Sequence, residues 1–575
     1  MPVSDWIEEL RQRRVLRTLL AYGVVVFATL QVIEPVLHGL RLPDWSLTAV
    51  GIGLAAGFPI VGLIAWLLDV QRRPASPGAH RARLRGRRIA YGLGAMTLVA
   101  AFVIGAILYG NRKVGPPSDG PPSIAVLPFA NLGGDPEQDY FADGLTEEIQ
   151  GALAQIPGLR VIGRTSSFAF KGRSLDVKDV ARKLGVTSVL EGTVRRSGSR
   201  LRITAQIVDA RDGYHLWSRS FDRGVGDIFA VQDEIGRAVA TALQLKLLPR
   251  DRGPERGPAS PEATNQYLLA RRFLAKSSLD GFVRAVAASE EAIAVAPGFA
   301  PAWATLASAN GGIGDWVEAP DEVASSQKKA VEAAARAIAL DPTLAEAYAV
   351  RAQMLTPLSW DWEGAGEDYD RALALAPGDA DILRKHGAWH LAPLGRLPEA
   401  IAELKVATEL DPLSVSAWMS LGSLQVANGQ GDDGERSLLR ALEIDPESDY
   451  AHQALAVHHL VAGRPEAALA ESGKCADPMW RLHGLALAQH DLGRPAEASA
   501  SLAELTSRYS APSPYQIAEV HAWRGERDQA FAWLEKAWQG HDSGLLLLQW
   551  DPLLKNLRGD PRYASLKRRM NLPGE

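Results

Sequence analysis

Cysteine is almost absent: Cys475 stands alone among 575 residues. One thiol closes no intramolecular disulfide and builds no thiolate zinc cluster. The short patterns that carry common chemistry are missing too. There is no G-x-x-x-x-G-K-[ST] phosphate loop, no H-E-x-x-H helix, no G-x-S-x-G turn and no H-R-D or D-F-G pair. His386 and His390 have the i, i+4 spacing of a metal helix, but Gly387 stands where a general-base glutamate belongs. His458 and His459 are adjacent, so they are not expected to share a helix face. No catalytic, cofactor or metal residue is assigned, and the chain reads as a non-enzyme.

Acidic residues are scarce at the front of the chain. Residues 1–113 hold 14 Lys/Arg against 6 Asp/Glu, a surplus of 8 positive charges, and the rest holds 48 against 61. A basic head on an acidic body suits nucleic acid or a membrane. Hydropathy favours the membrane, with three apolar stretches of 22 residues at 16–37, 47–68 and 89–110. Each would make a helix of about 33 Å, enough for a bilayer core of roughly 30 Å. The loop 71–88 carries seven arginines and no acid. The positive-inside rule then expects a cytoplasmic N-terminus and loop 71–88, with residues 111–575 on the far side of the membrane. Eighteen residues between two spans leave no room for a nucleic-acid-binding fold, so no nucleic acid is expected.

After a Pro/Gly linker at 114–122 the pattern changes. SIAVLPF, 123–129, reads as a buried strand. LTEEIQGALAQI, 145–156, has helical apolar spacing, with Thr146 or Asp143 as a cap. LRVIGRTSSFAF begins as a strand, and DVKDVARKLGV is a helix ending at Gly185. The next 36 residues read as antiparallel strands with turns at Ser197-Gly198 and Asp212-Gly213. Leu201, Ile203, Ala205 and Ile207 alternate with Arg202, Thr204, Gln206 and Val208, which leaves one face mostly apolar. A closing helix follows at 227–247. Asp135, Glu137, Asp139, Asp143, Glu147 and Glu148 crowd 14 residues, but their spacing is a turn plus a helix start rather than an EF-hand loop.

SIAVLPFANLGGDPEQDYFADGLTEEI, RVIGRTSSFAFKG and LEGTVRRSGSRLRITAQIVDARDGYHLWSRSFDR resemble the TolB amino-terminal-like module of bacterial envelope and signalling proteins. In that family the module follows a cyclase domain, a winged-helix domain or a membrane anchor, and tetratricopeptide repeats come next. Chains of this type often carry an adenylyl-cyclase label. The resemblance implies an envelope location, here the bacterial inner membrane with residues 111–575 in the periplasm, together with protein contacts and no catalytic residues.

Residues 263–544 repeat. Pro297, Pro342, Pro377, Pro412 and Pro446 end alanine-rich runs, and turn glycines recur at Gly395, Gly429, Gly463, Gly493 and Gly525. A spacing near 34 residues is that of the tetratricopeptide repeat, with about eight units and an insertion near 308–320. Trp418, Leu421, Gly422 and Ala441 show the pattern best. Such units bury their apolar faces only against neighbours, which leaves a concave groove. By register Lys385, Trp389, Met419, Tyr450 and Gln453 face it. Cys475 falls inside a repeat, in a packing position.

The expected architecture is multidomain. A transmembrane α-helical anchor at 1–113 precedes a TolB-N-like α+β module at 123–247. A linker at 248–262, an all-α tetratricopeptide superhelix at 263–544 and a cap at 545–575 follow. The expected function is an envelope scaffold or adaptor that binds a protein or peptide and needs no cofactor. The alternative is a membrane signalling component of the cyclase-associated type. The oligomeric state is left open.

Overall fold

The computed structural model describes residues 121–133, 138–173, 176–245, 260–317 and 319–573, and the single residue 22. The described chain is mostly helical, with one small sheet within 123–224. This corrects the fold class expected from sequence. Among the described residues no helix is long and apolar enough to cross a membrane. The longest, Pro320–Leu340, has 21 residues but carries Lys328, Lys329, Glu332 and Arg336 along it. The stretches 16–37, 47–68 and 89–110 lie outside the described residues apart from position 22. Residues Asp119–Glu575 form one compact unit, so the sheet region is no free-standing module.

Strand β1 is Ser123–Val126, β2 Ala130–Asn131, β3 Arg160–Val161, β4 Ser188–Ser197, β5 Arg200–Asp209 and β6 His215–Gly224. The sheet runs in the order β3-β1-β4-β5-β6, with β2 paired to β4 off that path. β1 pairs in parallel with β3 and β4. The last three strands form an antiparallel meander with Val194 opposite Ile203 and Ile203 opposite Phe221. Side chains alternate across a strand, so the sheet has two apolar faces. Ile124, Leu190, Leu201, Ile203 and Ile207 face Leu145, Ile149, Ile235 and Val239. Ala125 and Val189 face Ile162, Val180 and Leu184.

Helix Asp139–Ala154 starts six residues earlier than the apolar spacing suggested. Phe141 and Ala142 in the added turns are buried, and their burial extends the helix toward its N-terminus. Thr146 therefore does not cap it. Its hydroxyl donates to Ala142 O at 2.7 Å and accepts from Phe129 N at 3.0 Å. Helix Val177–Leu184 does end as read, with Gly185 left-handed at φ +67°.

From residue 261 eight helix pairs follow, Pro261–Leu274 with Leu279–Val295 through Pro514–Trp523 with Arg527–Gln539. Each marker proline sits one residue past a helix C-cap, where the chain stops its second helix and turns. The five turn glycines all have φ between +68° and +78°, a region that L side chains avoid. The residue six past the turn locks the register. Trp303 donates to Pro297 O and Trp418 to Pro412 O, both at 3.0 Å. His452 and Arg481 repeat the bond to Pro446 O and Cys475 O. The 45-residue gap is taken up largely by the second helix of its pair, 21 residues against 14 in Trp362–Leu375. Helices approach closely where a side chain is missing. A Cβ on Gly422 would lie 2.7 Å from Leu438 Cγ and 3.0 Å from Gly434 O.

Two contacts fold the array back on itself. The sheet region docks on the turns between pairs, and the cap 543–572 packs on the third and fourth pairs. Trp362 Nε1 donates to Met570 O at 2.7 Å and Gln549 Nε2 to Pro393 O at 3.1 Å. Trp360 and Trp362 join Tyr515, Phe531, Leu554 and Tyr563 in one core. The leucine run 545–548 is part of that core.

Candidate interaction site

The sheet region is held to the repeats by a specific exchange of hydrogen bonds. In the turns after Asp341 and Asp445 the aspartate accepts from the amide two residues on, Thr343 N at 3.0 Å and Glu447 N at 3.1 Å. At the matching turn Asp411 instead accepts from Ser166 N at 2.8 Å and from the Ser166 hydroxyl. Ser166 Oγ in turn takes the amide of Leu413 at 2.8 Å, the bond that the aspartate makes elsewhere. Gly163 N donates to Leu410 O at 2.7 Å, and a Cβ there would lie 2.5 Å from Asp411 Cγ. Burial raises the Asp411 carboxyl, and the Ser166 donors oppose that rise.

Beside this clamp lies a cleft of about 410 Å³, lined from the sheet side by Glu147 and Gln150 and from the repeats by Arg271, Glu346 and Lys385. Its charges are mostly paired internally. Arg271 meets Glu346 at 2.8 Å and Glu147 at 3.2 Å. Burial works against the Arg271 charge, but Glu346, Tyr267 and Glu147 outweigh it. The acid-rich stretch is likewise spoken for. Asp139 accepts from Asn131 at 2.9 Å, Asp143 pairs with Lys171 at 2.6 Å and Glu147 with Arg164 at 2.6 Å. Asp135 and Glu137 lie outside the described residues.

The five groove positions separate. Lys385 lines the cleft and pairs with Asp381 at 2.9 Å. Trp389 packs against the Trp360–Trp362 core, and Met419 packs against Val426 and Leu438. Gln453 is buried, with Nε2 donating to His483 Nδ1 at 2.6 Å. Tyr450 is open, 61% exposed, and its ring meets Trp480 edge-on at 5.3 Å. Sequence reading missed Trp480, although it lies three residues into its helix as Tyr450 lies two into its own.

The histidines are brought together more than their spacing suggested. His386 and His390 stack at 5.4 Å within a π-turn, Gly387–Leu391. His386 Nδ1 lies 2.9 Å from Glu403, and burial pushes His390 down to about 4. His458 and His459, though adjacent, converge with Glu435 from the preceding pair, their ligand atoms within 4.8 Å. Arg464 Nη2 already occupies that corner, 2.9 Å from Glu435 Oε2 and 2.6 Å from His458 Nε2. It holds Glu435 down at about 2, so the corner reads as an ion pair. Cys475 is buried, and burial lifts its thiol to about 11, far from a thiolate nucleophile.

A buried polar chain crosses the last pairs. Gln453 leads to His483, whose Nε2 lies 2.9 Å from Glu519 Oε2. Tyr515 donates to Asp551 Oδ2 at 2.9 Å. Burial lifts Glu519 to about 8 and drops His483 to about 4, while burial and Glu519 raise Asp551 well above the ordinary carboxylate range.

The helix pairs, their left-handed turns and the proline spacing define a repeat array of the tetratricopeptide kind. No known family profile matches the chain. Over 200 residues it is 46% identical to a Rhizobium meliloti (strain 1021) protein named "Putative adenylate cyclase 3", covering 34% of each. It thus spans about a third of that relative's length. It is 36% identical over 75 residues to the peroxisomal targeting signal receptor of Komagataella phaffii, covering 13% of each. Among solved structures, PilW, a type IV pilus biogenesis factor, is 23% identical. It covers 34% of this chain and 90% of its own, with a TM-score of 0.30. A tetratricopeptide repeat protein from Parabacteroides merdae is 15% identical. It covers 47% of this chain and 99% of its own, with a TM-score of 0.35.

Proposed function

We propose that the chain is a non-enzymatic scaffold whose repeats hold a segment of a partner protein, with Tyr450 and Lys385 on the receiving surface. The observation that carries this is the open Tyr450 ring beside Trp480, in an array whose other large aromatics mostly pack inward. Trp389, Met419 and Gln453 then serve by shaping the helices behind that surface. The sheet region, which resembles TolB amino-terminal-like modules, braces the turn between the fourth and fifth pairs through Ser166, Asp411 and Leu413. The scaffold reading stands without a membrane tether. The test is affinity capture from cell extract with the full chain and with Tyr450→Ala. Proteins retained by the first and lost by the second support the reading. Identical captured sets refute it.

The 200-residue match motivates a second reading, a signalling component of the cyclase-associated type. Incubation of the purified chain with ATP and a divalent metal separates the two. The scaffold reading expects no cyclic AMP, and sustained production overturns it.

A further inference from the structure

Tyr450 and Trp480 sit near the N-termini of two successive first helices, Asp449–Val461 and Pro478–Asp491. Three carboxylates surround them. Asp449 accepts from Ala476 N at 2.5 Å and Asp477 N at 3.3 Å, and Asp477 accepts from Met479 N at 2.7 Å. The third, Asp315, ends the first helix of the second pair. Burial raises its carboxyl to about 6, with Lys385 opposing that rise, and its charge reaches the Tyr450 phenol as those of Asp477 and Asp449 do. Asp315, from pair two, is thus within electrostatic reach of both Lys385 and Tyr450, from pairs four and six. Trp316, next to Asp315, is 54% exposed.

Among the described residues none of these three carboxylates has a cation within ion-pair distance. The nearby cations are committed elsewhere, Lys385 to Asp381 at 2.9 Å and Arg481 to Cys475 O at 3.1 Å. An open aromatic ring with carboxylates around it that have no cation at ion-pair distance is complementary to a positive charge on an alkyl stem. The ring faces attract the cation, and the carboxylates supply the counter-charge.

We propose that this surface receives an arginine or lysine side chain of an extended partner segment, laid over Tyr450 and Trp480 with its charge among Asp315, Asp449 and Asp477. The proposal rests on the scaffold reading and adds the partner's chemistry to it. A guanidinium fits better than an ammonium, because its plane stacks on a ring while its edge donates to carboxylates.

The test uses the full chain and a fluorescein-labelled ten-residue peptide alternating arginine and alanine. Twins replace arginine with citrulline, which keeps the shape without the charge, or with glutamate. Fluorescence anisotropy reads binding. The arginine peptide is expected to bind, to weaken with added salt, and to lose about 3- to 30-fold on Tyr450→Ala, the range of a partly desolvated cation–π contact. Tyr450→Phe keeps the ring and should bind nearly as wild type. The double change Asp315→Asn and Asp477→Asn should weaken binding, while the side-chain amide oxygen it leaves at position 477 still accepts from Met479 N and caps the helix. Equal binding of the citrulline peptide, no binding of the arginine peptide, or unchanged affinity in Tyr450→Ala overturns the proposal. Should Tyr450→Ala lose captured proteins while the arginine peptide fails to bind, the scaffold reading survives and the charge assignment is refuted.

Discussion

Replacing Glu519 by glutamine is expected to stabilise the protein above neutral pH and to flatten its dependence on pH. Glu519 is buried, with His483 Nε2 at 2.9 Å and Asp551 beside it. Burial lifts its carboxyl from the ordinary 4.5 to about 8. The folded state thus keeps a proton that the unfolded chain releases. Stability from this group is fully present below about pH 4.5 and is lost as pH rises through about 8. Each pH unit in that window costs about 1.4 kcal/mol, so the interval from pH 5 to 7.5 costs roughly 3 kcal/mol at most. A glutamine offers the same shape, accepts from the protonated Asp551 through its amide oxygen and never ionises. Urea unfolding followed by tryptophan fluorescence at pH 5, 6, 7 and 7.5 measures the difference. The wild-type midpoint should fall with pH more steeply than that of Glu519→Gln. Asp379 and Asp542, each lifted to about 6 by burial, add a background common to both proteins. Parallel midpoint curves, or a variant less stable at pH 7.5, would refute the buried, protonated Glu519.

Ser166→Ala removes both the hydroxyl donor to Asp411 and the acceptor for Leu413 N. A loss of about 1–3 kcal/mol is expected, read as faster hydrogen exchange at the Leu413 and Gly163 amides. Unchanged exchange there would mean that the docking is held by other contacts. Gly422→Val forces a methyl-bearing carbon toward Leu438 and Gly434 O. It should lower the urea midpoint by about 1–3 kcal/mol of stability, and a neutral result would show that the pair Val415–Ala427 and Gly431–Ile444 yields at no cost.

The repeats were legible because their signals are local. A glycine needed at φ near +78° and a proline one residue past a helix end recur whatever lies nearby. The strands of the meander were legible from two-residue turns and alternation. The clamp was not, because Asp411 sits in the same Leu-Asp-Pro turn as Asp341, and only a serine 245 positions away sets it apart. Glu519 reads as an ordinary surface acid until the cap brings Asp551 against it. The convergence of His458 and His459 leaves no mark in their spacing, because Glu435 and Arg464 supply the meeting point from either side. Register alone assigns Tyr450 to the groove, and its acidic neighbours, drawn from pairs far apart in the chain, leave no local signal.

The bond from Trp362 to the Met570 carbonyl spans 208 residues. Open arrays of this kind come apart piecemeal, since each element leans only on the next. A fastening between the third pair and the tail ties distant elements into one fate: loosening either loosens both. Such a chain should melt in a single step over its fastened portion and fold slowly, because a long stretch must be brought together before the tryptophan finds its acceptor.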